Sequence, residues 1–360
     1  MLSAPLANRG TVTEAARNAE AIVVAARAAV ADLLGADAGG VVFGRSMTQL
    51  AYDISRTLSD GGRPGDEVVV TRLDHDAHIR PWVQAAARAG ATVRWVGFDA
   101  ETGELTAEHL AAALGERTRL VAVTGASNLI GTRPPLPEIA ALVHDAGALL
   151  SVDGVHLTAH APIDVAALHA DLFFCSPYKF LGPHCGVLAA APELLATLHP
   201  DKLAPASDAV PERFELGTLP YELLAGVTAA VEVIASLAPA GGGPRRDRVL
   251  AAMAAVEAYE DALRAELEDG LAALPGIAQR ARAPRRTPTL LLTFNDHDAA
   301  AVAARLAARD VNASAGSFYA LEASRHLGLG DTGGLRVGLA PYTDRDDVAR
   351  LLDGLAVVTA

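Results

Sequence analysis

The sequence predicts an α/β fold, a mostly parallel sheet with helices on both faces, followed by a smaller α+β domain. Three observations carry this expectation. Apolar β runs alternate with helical patterns from Asp66 to Thr124, the rhythm of a parallel sheet. Two further apolar runs, Leu149–Asp153 and Asp171–Cys175, are short and uninterrupted, as strands buried on both faces are. A Pro/Gly stretch, Pro239 to Pro244, then precedes a long helical segment and marks a domain boundary. The expected division is a large domain over 10–238 and a small one over 245–360, with 1–9 as a short N-terminal segment.

In order, Thr13 to Gly35 is an alanine-rich helix, with Thr11 or Thr13 as N-cap and Gly35 as its stop. Val41–Phe43 leads into Gly44-Arg45-Ser46-Met47-Thr48-Gln49, and a helix continues to about Ser59. A small-residue turn opening a helix presents free N–H groups and suits a phosphate dianion. Strands are expected over Asp66–Leu73, Thr92–Phe98 and Leu120–Thr124. Helices are expected over Trp82–Ala89, Thr106–Leu114 and Leu136–Ala146. Tyr221–Leu237 reads as a buried helix. The small domain should hold a helix over Arg246–Leu274, a strand over Thr289–Phe294, a helix over Asp298–Ala308 and short strands towards Val337.

The 360 residues suffice for two cores, and 51% apolar with 20% charged residues is a globular composition. A net charge of -13 argues against a nucleic-acid surface, which needs clustered Lys and Arg. No apolar run approaches a membrane span and Met1-Leu2-Ser3-Ala4 has no signal-peptide pattern, so a cytoplasmic location is expected. Cys175 and Cys185 form neither a disulfide framework nor a metal-type pair.

The chemistry gathers at Asp153-Gly154-Val155-His156 and Ser176-Pro177-Tyr178-Lys179. Alone, an Asp at a strand end is usually a turn residue and a Lys after a strand is solvated. Together they can grip opposite ends of a flat, charged heterocycle. Pyridoxal 5'-phosphate (PLP) needs such a grip: Lys179 for a Schiff base with its aldehyde, Asp153 for its protonated ring nitrogen. His75, Asp76 and His78 carry metal-ligand side chains, but their spacing fits no zinc pattern and no metal is expected.

The stretches Asp153–His156 and Cys175-Ser176-Pro177-Tyr178-Lys179-Phe180-Leu181-Gly182-Pro183 resemble the cysteine desulfurase-like branch of the class V aminotransferases. The resemblance runs from about Asn8 to the C-terminus. It implies the fold type I architecture of PLP enzymes, with a seven-stranded-type sheet, and it assigns roles to residues here. His75 would lie flat on the ring; Met47, Thr48, Ser176 and Tyr178 would hold the phosphate. His156 would stand near the ring oxygen, where desulfurases often have Gln. Asn128 would serve both cofactor and substrate, and Arg336 would fork onto the substrate α-carboxylate. Arg213-Phe214-Glu215-Leu216-Gly217-Thr218 matches a motif that crosses a dimer interface, so Thr218 would reach the partner's phosphate in a homodimer.

Two departures shape the functional expectation. Tyr319, in Ser317-Phe318-Tyr319-Ala320, stands where desulfurases carry their nucleophilic cysteine, so the chain is expected not to be a desulfurase. Tyr319 would be a general acid or line the pocket. The family's N-terminal arm, of a few dozen residues before Asn8, is missing, which implies a more open pocket mouth, cover by another segment, or a misassigned start. The favoured reaction is β-elimination of a cysteine S-conjugate, a C-S lyase, with transamination as runner-up and a non-catalytic PLP-binding protein as the remaining alternative.

Overall fold

The computed structural model describes residues 5–238 and 242–359. The boundary stretch expected at Pro239 to Pro244 therefore lies partly outside the described residues. The first sheet contains β1 (Val41–Gly44), β2 (Glu67–Thr71), β3 (Thr92–Val96), β4 (Thr118–Thr124), β5 (Leu149–Asp153), β6 (Leu172–Cys175) and β7 (Gly186–Ala190). Its order is β1-β7-β6-β5-β4-β2-β3. Only β7 runs against its neighbours; the other pairings are parallel. This is the seven-stranded α/β sheet expected from the sequence.

Helices α1 (Glu14–Leu34), α2 (Met47–Ser59), α3 (Arg80–Ala89), α4 (Ala107–Ala111), α5 (Leu136–Asp145), α6 (Val165–Leu168), α7 (Pro192–Thr197), α8 (Tyr221–Ser236) and α9 (Arg245–Ala272) flank it. Alternation along the strands splits their side chains between two cores. Val121, Val123, Val152 and Phe173 pack with α1, α5, α8 and the start of α9. Leu120, Ala122, Leu172 and Phe174 pack with α2 and α3. Thr13, not Thr11, caps α1, accepting from the Ala16 N–H, and Gly35 ends it at φ +65°. The expected buried helix at Tyr221 is buried on one side only: Val233 and Leu237 are about half exposed, because α1 and α9 cover just part of α8.

The second sheet, order β10-β11-β9-β8, is wholly antiparallel: β8 (Ile277–Arg280), β9 (Thr289–Phe294), β10 (Ser314–Gly316) and β11 (Gly334–Gly338). With α10 (Ala299–Ala307), α11 (Leu321–His326) and α12 (Arg345–Val358) it makes the smaller α+β unit. A third core joins β9 and β11 to α10, α12 and Leu263, Leu267 and Leu271 of α9. Helix α9 thus spans two cores, because Val249, Ala252 and Met253 belong to the first.

Candidate active site

In a parallel sheet the loops at the carboxyl ends of the strands surround the ligand crevice. Here those ends supply the turn into α2 after β1, His75 after β2, Asn128 after β4, Asp153 at the end of β5 and Lys179 after β6. The second sheet adds Arg336 from β11 and Phe318 and Tyr319 from the loop after β10. All line one cavity of about 940 Å³, together with Met47, Thr48, His156, Ser176 and Tyr178. Of the expected site residues only Thr218 is absent from its lining; it is exposed, on the loop after Phe214.

Asp153 is buried, and its Oδ1 accepts from the Val155 N–H at 2.9 Å. Burial raises its pKa to about 6, opposed by the charges of His78 and Lys179. Gly154 is required just after it: a Cβ there would meet the Phe173 ring at 2.0 Å. Lys179 sits in a tight turn, Pro177–Phe180, with its Nζ 5.1 Å from the centre of the Tyr178 ring. Partial burial lowers its pKa, as does Arg336, while Asp153 opposes both. Tyr178 stacks on His184 with ring centres 4.9 Å apart, and burial raises its pKa.

The Nδ1 of His75 accepts from the Ala77 N–H at 3.0 Å, so this nitrogen carries no proton. Burial depresses the ring to about 4, helped by Lys179, His78 and Arg336. The ring faces Tyr319 with centres 5.6 Å apart. His78 leaves the cavity altogether. It is fully buried and bonded to Asp74 and Ser151, so His75, Asp76 and His78 do not converge on one point.

Asn128 ties the second sheet to the first. Its Nδ2 donates to the Phe318 carbonyl at 2.9 Å, and its own carbonyl accepts from the Arg336 guanidinium at 2.9 Å. Arg336 stacks on Phe318 at 3.9 Å, and no carboxylate among the described residues lies within ion-pair distance of it. Burial lowers its pKa. Phe318 and Tyr319 both adopt positive φ, +53° and +59°, a costly conformation for aromatic residues. The Asp76 N–H to Tyr319 carbonyl bond, 2.7 Å, holds the turn. His156 directs Nε2 to the hydroxyls of Thr287 and Thr289, both at 3.0 Å, and burial drives its pKa well below normal.

The turn at Ser46 is shaped by the absence of a side chain opposite. A Cβ on Gly186 of β7 would lie 2.3 Å from the Met47 nitrogen. Ser46 caps the Gln49 N–H, and the first turn of α2 contains no acidic residue. The cavity also takes in residues the sequence reading passed over, among them His160, Asn312 and Tyr342. His160 could have been noticed four residues after His156. Asn312 and Tyr342 sit in loop segments whose position only the tertiary fold sets.

The fold and the strand-end Asp–Lys pair define a fold type I PLP enzyme. The class V aminotransferase model matches residues 3–351, and the chain belongs to that family of PLP-dependent enzymes. It is 35% identical to an uncharacterized protein of Mycobacterium tuberculosis, over 95% of this chain and 85% of the relative. It is 32% identical to a probable cysteine desulfurase of Pseudomonas aeruginosa, over 91% and 80%. The crystal structure of the Escherichia coli cysteine desulfurase CsdA superposes with a TM-score of 0.83 at 27% identity, over 97% and 86%.

The side chains fit PLP. The cavity offers a buried carboxylate, a lysine with no ion-pair partner among the described residues, and a 13-residue helix whose N-terminus faces inward. The buried Oδ1 of Asn128 has no hydrogen-bond partner, as expected of a group that awaits a ligand.

Proposed function

We propose that the protein is a C-S lyase, which cleaves cysteine S-conjugates by β-elimination, and that it works as a cytoplasmic homodimer. The observation that carries this reading is the make-up of the cavity wall. Phe318, Tyr319 and Tyr342 line a space of about 940 Å³, while the chain's two cysteines, Cys175 and Cys185, are buried outside it. Burial raises both thiols, Cys185 to about 12. Neither is available as the thiolate that would accept sulfur.

In this reading Met47 and Thr48 hold the cofactor phosphate by backbone N–H groups at the start of α2, with the hydroxyls of Thr48, Ser176 and Tyr178. Thr218 of one subunit adds a contact across the dimer. Lys179 would carry the aldehyde end, His75 would cover the ring, His156 would stand near the ring oxygen, and Asp153 would keep the ring nitrogen protonated. Bound PLP supplies an electron sink for the charge left at Cα. Arg336 grips the substrate carboxylate with Asn128 beside it. Lys179, released when the substrate amine takes its place and with its basicity tempered by burial and by Arg336, would accept the α-proton. The Cβ–S bond then breaks, and the thiolate leaves and takes a proton. The unsaturated amino acid left behind hydrolyses with one water to pyruvate and ammonium. The Phe318–Tyr319 turn would contact the sulfur substituent.

Incubation with S-alkyl- and S-arylcysteines tests this. Pyruvate, ammonium and free thiol should appear in equal amounts, and Lys179→Ala should abolish both turnover and the visible absorption of bound PLP. Conversion of the cofactor to its amine form with release of a keto acid would replace the lyase by an aminotransferase. Sulfide release from free cysteine would restore the desulfurase, and no product from any amino acid would leave a PLP-binding protein.

A further inference from the structure

Under Asp153 lies a chain of polar side chains that the reaction as described does not use. Thr71, Asp74, His78 and Ser151 are all completely buried. Asp74 accepts from the Thr71 hydroxyl, and His78 Nδ1 lies 2.8 Å from its Oδ1. Burial raises the Asp74 pKa above the ordinary carboxylate value, opposed by His78 and by the Thr71 hydroxyl, and wherever Asp74 is ionised the 2.8 Å contact requires a proton on Nδ1. At the far side of the ring, Nε2 is 2.8 Å from Ser151 Oγ.

Ser151 and Asp153 are two residues apart on β5 and so project from the same face. Phe174, opposite Asp153 in the sheet, meets the His78 ring edge-on at 5.9 Å, and Trp82 closes the other side at 6.3 Å. The imidazole is therefore wedged beneath the cavity floor between two carboxylates, Asp74 and Asp153. The other positive charge acting on Asp153 is that of Lys179. Asp153 itself receives a single backbone donor, from Val155. An apolar residue at position 78 would fill the same space without the cost of burying polar groups.

We propose that His78, fixed by Asp74 and Ser151, is a positioning residue that acts through Asp153: as an imidazolium it keeps that carboxylate ionised for the pyridine nitrogen. Asp74 and Asp153 are two carboxylates, and His78 with a protonated ring nitrogen would face them with two positive charges. Without the imidazolium the ring nitrogen alone would face both. This proposal rests on Asp153 as the partner of the ring nitrogen, and its tests separate the two claims.

Two measurements use the cofactor-free protein. The ¹⁵N shifts of His78 at about pH 7 should show both ring nitrogens protonated; a bare Nε2 would overturn the proposal. The ¹³C-carboxyl titration of Asp153 should move up by about one pH unit or more in His78→Gln. An unmoved midpoint in a folded variant would overturn it. The third measurement compares the dissociation constants of PLP and its 1-deaza analogue, which lacks the basic ring nitrogen. His78→Gln should weaken PLP by ~10-fold, matching that titration shift, and leave the analogue nearly unchanged. Equal losses for both would mean a merely structural histidine. If Asp153→Asn keeps the wild-type preference for PLP over the analogue, the counter-ion reading itself fails. If Asp153→Asn loses that preference and His78→Gln retains it, only His78 is misassigned.

Discussion

Asp153 makes the cofactor-free protein pay for ionisation. Its folded pKa, about 6, lies above the ordinary aspartate value of 3.8, so the folded chain binds the proton more tightly than the unfolded one. Stability from the neutral acid is complete below about pH 4 and is lost as pH rises through about 6. Asp153→Asn should therefore stabilise the cofactor-free protein above pH ~6, by an amount on the order of 3 kcal/mol, and not at pH ~4. Loading with PLP should remove or reverse the difference, because a protonated ring nitrogen favours the carboxylate. Melting temperatures of both proteins at the two pH values, with and without PLP, check this; a gap independent of pH would contradict it. His75 behaves oppositely. Its pKa is depressed to about 4, so its stabilising contribution is present above about pH 6.5 and is lost as pH falls towards 4. For Arg336, removal of the fork should cost binding: Arg336→Gln should raise KM for an amino-acid substrate by roughly 10- to 100-fold. An amine without a carboxylate should be handled equally by both enzymes, and steady-state kinetics with the pair of substrates decides the point.

Among the elements, the start of α2 depends on a strand far away in sequence. β7 passes so near that a Cβ on Gly186 would lie 2.2 Å from the Ser46 carbonyl carbon and 2.3 Å from the Met47 nitrogen. Gly186→Ala must displace either the strand or the phosphate-facing turn. We expect it to weaken PLP by at least ~10-fold, the scale of one lost charge-assisted contact, with a much smaller effect on pyridoxal, which has no phosphate. Titration of the cofactor-free protein with both compounds measures the difference; parallel losses would show a general folding defect instead. The sequence showed a small-residue turn before a helix, but β7 itself was not anticipated. Five residues beginning with Gly and ending with two alanines carry little strand propensity. The strand forms because β1 and β6 offer it hydrogen-bond partners on both sides.

For the whole molecule, Glu215 is anchored while the segment after it projects. Its carboxylate accepts from Arg27 of α1 at 2.8 Å and from the Phe43 N–H of β1 at 2.9 Å. Leu216, Gly217 and Thr218 beyond it are exposed. Such a segment suits the proposed reach into a partner subunit. If each site needs both subunits, Thr218→Asp should weaken PLP binding without touching its own cavity. Equal mixing and re-assembly of Thr218→Asp with Lys179→Ala should restore about a quarter of wild-type activity, since half the dimers are mixed and each has one intact site. A monomer in solution, or no restored activity, would contradict the dimer. No helix among the described residues is long and apolar enough to cross a membrane.

The sequence alone determined the β-then-α rhythm, the glycine stop of α1, and the strand-end positions of Asp153 and Lys179, because these follow from local periodicity and turn chemistry. The family resemblance added the residues that converge from distant loops. Only the tertiary structure decided that His78 turns inward while His75 faces the cavity. One turn of backbone separates them, and the sheet beneath, through Ser151 and Phe174, chooses between them. The hold of Asn128 on both Phe318 and Arg336, the join between the two sheets, was equally out of reach. Those residues lie about 200 positions apart, and no local pattern records a contact made only by the closed fold.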